Sequence, residues 1–199
     1  IPNGVDVENF SKEFSYGELS SLTDKLGIKP DEKVIISVSR LVPKNGVDFI
    51  ILALKILSQL QATSYKLLIV GSGPDKEKLE ELAVENGVRS KVIFAGDVGH
   101  DQLPKYLKIS DVFVRPSLSE GLGSAFLEAM AAGVLIVGTR VGGIPDFLKE
   151  GETGLFCLSG SPESIAEKAG LLIKNHELSQ KIAANALELV KEKYDWRKI

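Results

Sequence analysis

The chain has 199 residues, with 24 Lys and Arg against 27 Asp and Glu and a formal net charge of −3. That length suits one domain whose core needs neither disulfides nor metals, and the slightly acidic balance argues against a general nucleic-acid binder. One cysteine and two histidines cannot build a Cys/His zinc cage, and the apolar stretches 49–60 and 129–137 fall short of the ~18 residues that span a bilayer. No signal peptide is evident. Cys157, inside Leu155-Phe156-Cys157-Leu158, reads as a small core residue in a reducing compartment.

The opening Ile1-Pro2-Asn3-Gly4-Val5-Asp6 reads as a turn with no start methionine, as at a boundary inside a longer protein. The stretch to about Pro30 is polar and gives no clear element. From there short β-branched runs alternate with longer amphipathic ones, the pattern of a parallel α/β sheet. Strands are expected at Val34–Ser39, Lys66–Val70, Val92–Ala95, Val112–Arg115, Val134–Gly138 and Gly154–Leu158. Most are continuous apolar runs, as strands covered on both faces require. Helices are expected at Gly46–Leu60, Asp75–Asn86, Asp101–Ile109, Ser124–Ala132, a short one near Pro145–Lys149, then Pro162–Lys174 and Leu178–Tyr194. Ser161-Pro162 offers a capping hydroxyl and an N1 proline, and Gly87 and Gly133 sit where helices end. The expected fold is a three-layer α/β/α Rossmann-like domain with a mostly parallel six-stranded sheet.

Ligands of such sheets bind at the carboxyl ends of the strands. Here those ends read Ser39-Arg40-Leu41-Val42-Pro43-Lys44-Asn45-Gly46, Gly71-Ser72-Gly73-Pro74, Pro116-Ser117-Leu118-Ser119-Glu120-Gly121-Leu122-Gly123 and Thr139-Arg140-Val141-Gly142-Gly143. Nineteen of the 199 residues are glycine, above the usual ~7%, and the excess falls largely in these turns. There is no Gly-Lys dipeptide for a Walker A loop and no Gly-x-Ser-x-Gly elbow. Lys76 stands where a dinucleotide fingerprint needs its third glycine, so Gly71-Ser72-Gly73 reads as a tight strand-to-helix turn. No Asp-x-Asp triplet is present to hold a metal against a diphosphate.

The most informative segment is Glu120-Gly121-Leu122-Gly123-Ser124-Ala125-Phe126-Leu127-Glu128. Gly121 and Gly123 let the backbone approach a ligand, and a helix starting near Ser124 aims free N–H groups and its positive end at the same place. An anion fits there, with the Ser124 hydroxyl as an added donor. Carboxylates repel an anion, so Glu120 and Glu128 suit hydroxyl groups on either side of it. Glu128 lies about 6 Å along the helix from Ser124 and leans back toward the helix start. Taken alone, a solvated Glu120 and a salt-bridged Glu128 would explain these acids equally well. Arg40 and Lys44 add a planar fork and a point charge suited to a diphosphate, although alone they read as surface cations.

Together with Asn3-Gly4-Val5-Asp6, Ser39 to Gly46, Gly71 to Pro74, Ser110-Asp111-Val112-Phe113-Val114, Ala129-Met130-Ala131-Ala132-Gly133, Val141-Gly142-Gly143-Ile144-Pro145 and Gly151-Glu152-Thr153-Gly154, this segment occurs in the order of one family. The chain resembles the C-terminal, donor-binding domain of a retaining GT-B glycosyltransferase of the broad family four, glycosyltransferases group 1. The resemblance covers essentially the whole chain. It implies a hexosyltransferase that uses a nucleotide-diphosphate sugar, UDP-sugar first and GDP- or ADP-sugar as alternatives, with no required cofactor or metal. It further implies that Arg40 and Lys44 compensate the diphosphate, that Glu120 contacts donor-sugar hydroxyls, and that Gly121, Leu122, Gly123 and Ser124 bind phosphate and sugar. Glu128 would hold the ribose, and the base would lie near Gly96-Asp97-Val98.

Two residues depart from the family pattern: Ser39 replaces a usual glycine, and Lys44 stands one place before the usual lysine. Residues 1–199 are expected to form one domain, the C-terminal half of an enzyme whose N-terminal acceptor domain is absent, inactive alone. Tyr194-Asp195-Trp196 resembles the start of the helix that crosses back to that half. A glycan, lipid or small molecule is the expected acceptor, in a cytoplasmic enzyme with room for peripheral membrane attachment through the other half. Nucleic acid and a transmembrane segment are not expected. The alternatives are a non-catalytic nucleotide-binding or interaction module, a dinucleotide oxidoreductase, and a GT-B epimerase or phosphorylase.

Overall fold

The computed structural model describes residues 4–60 and 63–199. The turn expected over Ile1-Pro2-Asn3 lies outside the described residues. Six strands, β1 (Glu32–Val38), β2 (Ser64–Val70), β3 (Val92–Gly96), β4 (Val112–Arg115), β5 (Leu135–Gly138) and β6 (Leu155–Phe156), form one sheet in the order β3-β2-β1-β4-β5-β6. Every pairing is parallel, so the sheet is wholly parallel where the sequence suggested mostly so.

The strands carry apolar runs, such as Val34-Ile35-Ile36 in β1 and Leu67-Leu68-Ile69-Val70 in β2, because both faces of the sheet are covered. Ile36, Leu68, Val70 and Phe113 point to one core, and Ile35, Leu67, Ile69, Val112 and Val114 to the other. The first face is closed by α1 (Val7–Phe10), α5 (Leu103–Lys108), α6 (Ser124–Ala131) and α7 (Ile144–Phe147), with Ala186 and Val190 of α9 (His176–Lys193). The second is closed by α3 (Val47–Gln59), α4 (Lys76–Glu85) and α8 (Pro162–Lys174). Phe126 of α6 meets Phe113 of β4 edge-on at 5.1 Å, which seats this helix against the sheet.

Two helices stand where the sequence reading had none. α2 (Tyr16–Leu26) contains no fully buried residue, so it lacks the apolar stripe that reveals a helix. Its ends are nevertheless written locally: Ser15 and Glu18 form a capping box, and Gly27 closes the helix at φ +67°. Strand β6 is shorter than expected, since the Leu158 N–H turns away to the Ser164 hydroxyl at 3.0 Å. At the other extreme of the chain, Val5 lies between Tyr194 and Trp196, donating to the Tyr194 carbonyl at 2.8 Å and accepting from the Trp196 N–H at 3.1 Å. Tyr194-Asp195-Trp196 follows the end of α9 and runs beside Val5 in a parallel bridge.

Cys157 is buried, and burial pushes its thiol up to about 12. No helix among the described residues is long and apolar enough to cross a membrane.

Candidate functional site

Strands β1, β2 and β3 proceed toward one edge of the sheet, and β4 then starts on the other side of β1. The chain leaving β1 packs α3 on one face of the sheet and the chain leaving β4 packs α6 on the other, which makes this the switch point where open parallel sheets bind ligands. A cavity of about 1180 Å³ lies there. Its wall includes Ser39, Arg40 and Lys44 after β1, Gly71–Gly73 after β2, Asp97 and Val98 after β3, Arg115 at the end of β4, and Ser124, Ala125 and Glu128 of α6.

The β1 loop is held by its neighbours. Gly46 has φ +68°, and a Cβ there would come 2.5 Å from the Pro116 carbonyl oxygen of the β4 loop. The Leu118 N–H donates to the Lys44 carbonyl at 2.7 Å, and buried Asn45 donates through Nδ2 to the Arg40 carbonyl at 2.6 Å. Asn45 thus fills the position directly before the glycine as an internal staple, and Lys44 lies exposed on the cavity wall one residue earlier. On the other side Leu41 donates to the Ser72 carbonyl at 2.8 Å. A Cβ on Gly73 would stand 2.6 Å from the Leu41 nitrogen, so this glycine admits backbone, as a tight turn does.

The β4 loop is fixed in the same manner. Thr139 donates its hydroxyl to the Ser117 carbonyl at 2.6 Å, and the Gly143 N–H donates to the Gly121 carbonyl at 2.8 Å. Gly142, at φ +54°, lies where any side chain would collide with the Glu120 carbonyl. Gly123 begins α6 at φ +73° with no side-chain cap. The first N–H groups of α6 therefore lack intrahelical acceptors, and its positive end meets the cavity at Ser124 and Ala125.

Glu120 and Glu128 are each largely shielded from solvent. Arg115 pairs with Glu120 at 2.6 Å, and Ser117 Oγ and the Gly121 N–H donate to the same carboxylate at 3.3 and 3.1 Å. His100 Nε2 lies 3.4 Å from Glu128 Oε1. Burial raises the Glu128 carboxyl above the usual range, opposed by His100 and Arg115. Burial also lowers the Arg115 guanidinium from its ordinary value, while Glu120 and Glu128 hold it up.

Of the site residues expected from sequence, the structure gathers Arg40, Lys44, Val98, Ser124 and Glu128 on one cavity wall. Glu120, Gly121, Leu122 and Gly123 form the loop leading into α6 and are not part of that wall. Gly96 also lies off it, and its carbonyl accepts from the Gly71 N–H at 2.7 Å. Sequence reasoning passed over Arg115, whose one signal is a cation closing an apolar strand, and His100, an exposed loop residue with no signal at all. The arrangement offers two exposed cations and a helix end to an anion, and a partly buried carboxylate to hydroxyl donors beside it.

Residues 20–189 match the family described as glycosyl transferases group 1. The chain belongs to this family. It is 38% identical over 200 residues to an uncharacterized glycosyltransferase of Methanocaldococcus jannaschii, covering 100% of this chain and 50% of the relative. It is 32% identical to the GDP-mannose-dependent alpha-(1-6)-phosphatidylinositol monomannoside mannosyltransferase of Mycobacterium tuberculosis, over 98% of this chain and 52% of that one. Among solved structures, HepE of Anabaena, crystallised with UDP and glucose, superposes with a TM-score of 0.86 at 23% identity, covering 96% of this chain and 52% of its own. This group 1 glycosyltransferase chain therefore has the Rossmann-like architecture of GT-B enzymes and spans about half the length of the curated relatives it matches.

Proposed function

We propose that residues 1–199 form the C-terminal, donor-binding domain of a glycosyltransferase that moves a hexose from a nucleotide-diphosphate sugar without a metal and with retained configuration. The observation that carries this reading is that Arg40, Lys44, the start of α6 and Glu128 line one cavity at the switch point of the sheet. As the glycosidic bond breaks, negative charge grows on the departing nucleoside diphosphate. Preorganised cations and amide N–H groups stabilise that charge more than the ground state. Arg40, Lys44 and the α6 terminus take this role, with Ser124 as an added donor.

Glu128 accepts from the ribose hydroxyls, and the loop at Gly96 and Val98 receives the base. Glu120, fixed by Arg115, accepts from hydroxyls of the donor sugar presented along Gly121, Leu122 and Gly123. A UDP-sugar is the first choice of donor; the GDP-mannose dependence of the mycobacterial relative keeps a GDP-sugar in view, and an ADP-sugar is the third. The acceptor, a glycan, lipid or small molecule, is held by an N-terminal domain, and the enzyme works in the cytoplasm, where such a domain can also provide membrane contact.

Calorimetric titration tests the assignment. Arg40→Ala is expected to weaken UDP and UDP-sugar alike, about tenfold, the size of one lost charge-assisted contact. Glu128→Ala is expected to weaken ribonucleotides more than their 2′,3′-dideoxy analogues, and chelator is expected to change neither affinity. Equal losses for both analogues remove the ribose assignment. Absence of binding by every nucleoside diphosphate removes the reading altogether. Retention is checked on the two-domain enzyme from the anomeric proton coupling of the product.

A further inference from the structure

The proposed donor site contains a conflict: Glu120 and Glu128 are both shielded carboxylates, and the ligand that must settle among them is a diphosphate. We infer that Arg115 is the positioning residue that neutralises this acidic pair from below and so allows an anion to enter the cavity. This inference rests on the donor-site reading.

Arg115 closes β4, and its side chain is only 13% exposed, as against 11% for Glu120, to which it is bonded at 2.6 Å. It attracts Glu128 as well as Glu120. The other charged groups around it divide between two loops: Arg40 and Lys44 after β1, Asp97 and His100 after β3. All four are exposed, so Arg40, Lys44 and Asp97 are screened by water, while His100, 3.4 Å from Glu128 Oε1, supports Glu128 from the solvent side. Arg115, by contrast, is itself shielded and in direct contact with Glu120. Its guanidinium also approaches Asn45 Oδ1 at 3.4 Å, and Asn45 in turn holds the Arg40 carbonyl. One side chain thus joins the acidic loop before α6 to the cationic loop after β1. Removing it leaves the shielded Glu120 carboxylate without its cation in the loop that leads into α6, and weakens the compensation of Glu128 on the cavity wall, so repulsion opposes the ligand.

A charge-deletion cycle on this chain tests the idea, with UDP and inorganic pyrophosphate as probes. Neither carries a donor sugar, so the proposed sugar contact of Glu120 does not enter. Arg115→Met is expected to weaken both probes about tenfold, and Arg115→Lys, which keeps the charge, to stay within about threefold of wild type. Arg115→Met combined with Glu120→Gln is expected to recover binding to within about threefold of wild type, because charge balance returns without the fork. Glu120→Gln alone is expected to tighten both probes. A purely structural role for Arg115 predicts instead that the double variant binds no better than Arg115→Met, and that result overturns the inference, as does wild-type affinity in Arg115→Met itself. If Arg115→Met does not fold by circular dichroism, Glu120→Gln decides: unchanged or weaker binding overturns the proposal. A wild-type chain that binds neither probe defeats the donor-site reading and, with it, this inference; a wild-type chain that binds while the cycle fails defeats the inference alone.

Discussion

Replacing Gly73 by alanine separates two uses of a glycine at a strand end. If Gly73 lacks a side chain so that a ligand can come close, Gly73→Ala harms binding and leaves the unliganded protein intact. The structure predicts the opposite order of effects. The added Cβ would sit 2.6 Å from the Leu41 nitrogen, and Leu41 is fully buried, so the backbone of the β1 loop must retreat. Two hydrogen bonds depend on that contact, Leu41 N–H to the Ser72 carbonyl at 2.8 Å and Asp75 N–H to the Leu41 carbonyl at 3.2 Å. At about 1 kcal/mol net for each, and more where a buried group is left unsatisfied, the loss amounts to roughly 2–4 kcal/mol. For a domain of this size that corresponds to a fall in Tm of roughly 5–15 °C. Urea unfolding of the ligand-free chain measures it directly, and UDP affinity falls in the same variant because Arg40 moves with Leu41. Gly17→Ala is the control: Gly17 lies in α2 with open space around its would-be Cβ, so stability should rise by roughly 0.5–1 kcal/mol. A Gly73→Ala protein as stable as wild type but unable to bind UDP would show that the close-packing argument is wrong.

Three further outcomes follow from the same geometry. Burial raises the Glu128 carboxyl in the folded chain, so between its ordinary value and the raised one the folded state holds more protons than the unfolded state, and its contribution to stability falls as pH rises. Glu128→Gln should therefore melt higher than wild type at pH 7, with an advantage that shrinks as pH is lowered toward the usual carboxylate range; a constant difference across pH refutes this. Asn45→Ala removes the 2.6 Å bond to the Arg40 carbonyl and should lower stability by about 1–3 kcal/mol, with faster amide exchange in the β1 loop as the confirming measurement. The Cys157 thiol, pushed up to about 12, should resist Ellman's reagent at pH 8 in the folded chain and react fully in denaturant, and rapid reaction without unfolding would contradict its burial.

The sheet was legible because each strand is covered on both sides, which leaves an uninterrupted apolar run such as Val34-Ile35-Ile36 in the sequence. The helix starting at Ser124 was legible for a similar reason: glycines precede it and a solid apolar block follows. Helix α2 was harder because it buries no residue fully, although Ser15, Glu18 and Gly27 mark its ends. Arg40 and Glu128 could be assigned to one place because a parallel sheet sends all its strand ends to one side. Arg115 and His100 could not: Arg115 meets Glu120 because the loop after β4 folds back over the strand end, and His100 reaches Glu128 from the separate loop after β3, neither of which a sequence pattern announces. Asn45 taught a related lesson, for a residue next to a loop cation turned out to be buried and structural.

The bridge between Val5 and Asp195 brings the two extremities of the described fold side by side. A permuted chain, with these extremities fused by a short Gly/Ser linker and new ends opened at the exposed Ser159-Gly160 turn, keeps every sheet pairing and both cores. The same adjacency gives segments attached on either side a shared point of departure from the domain.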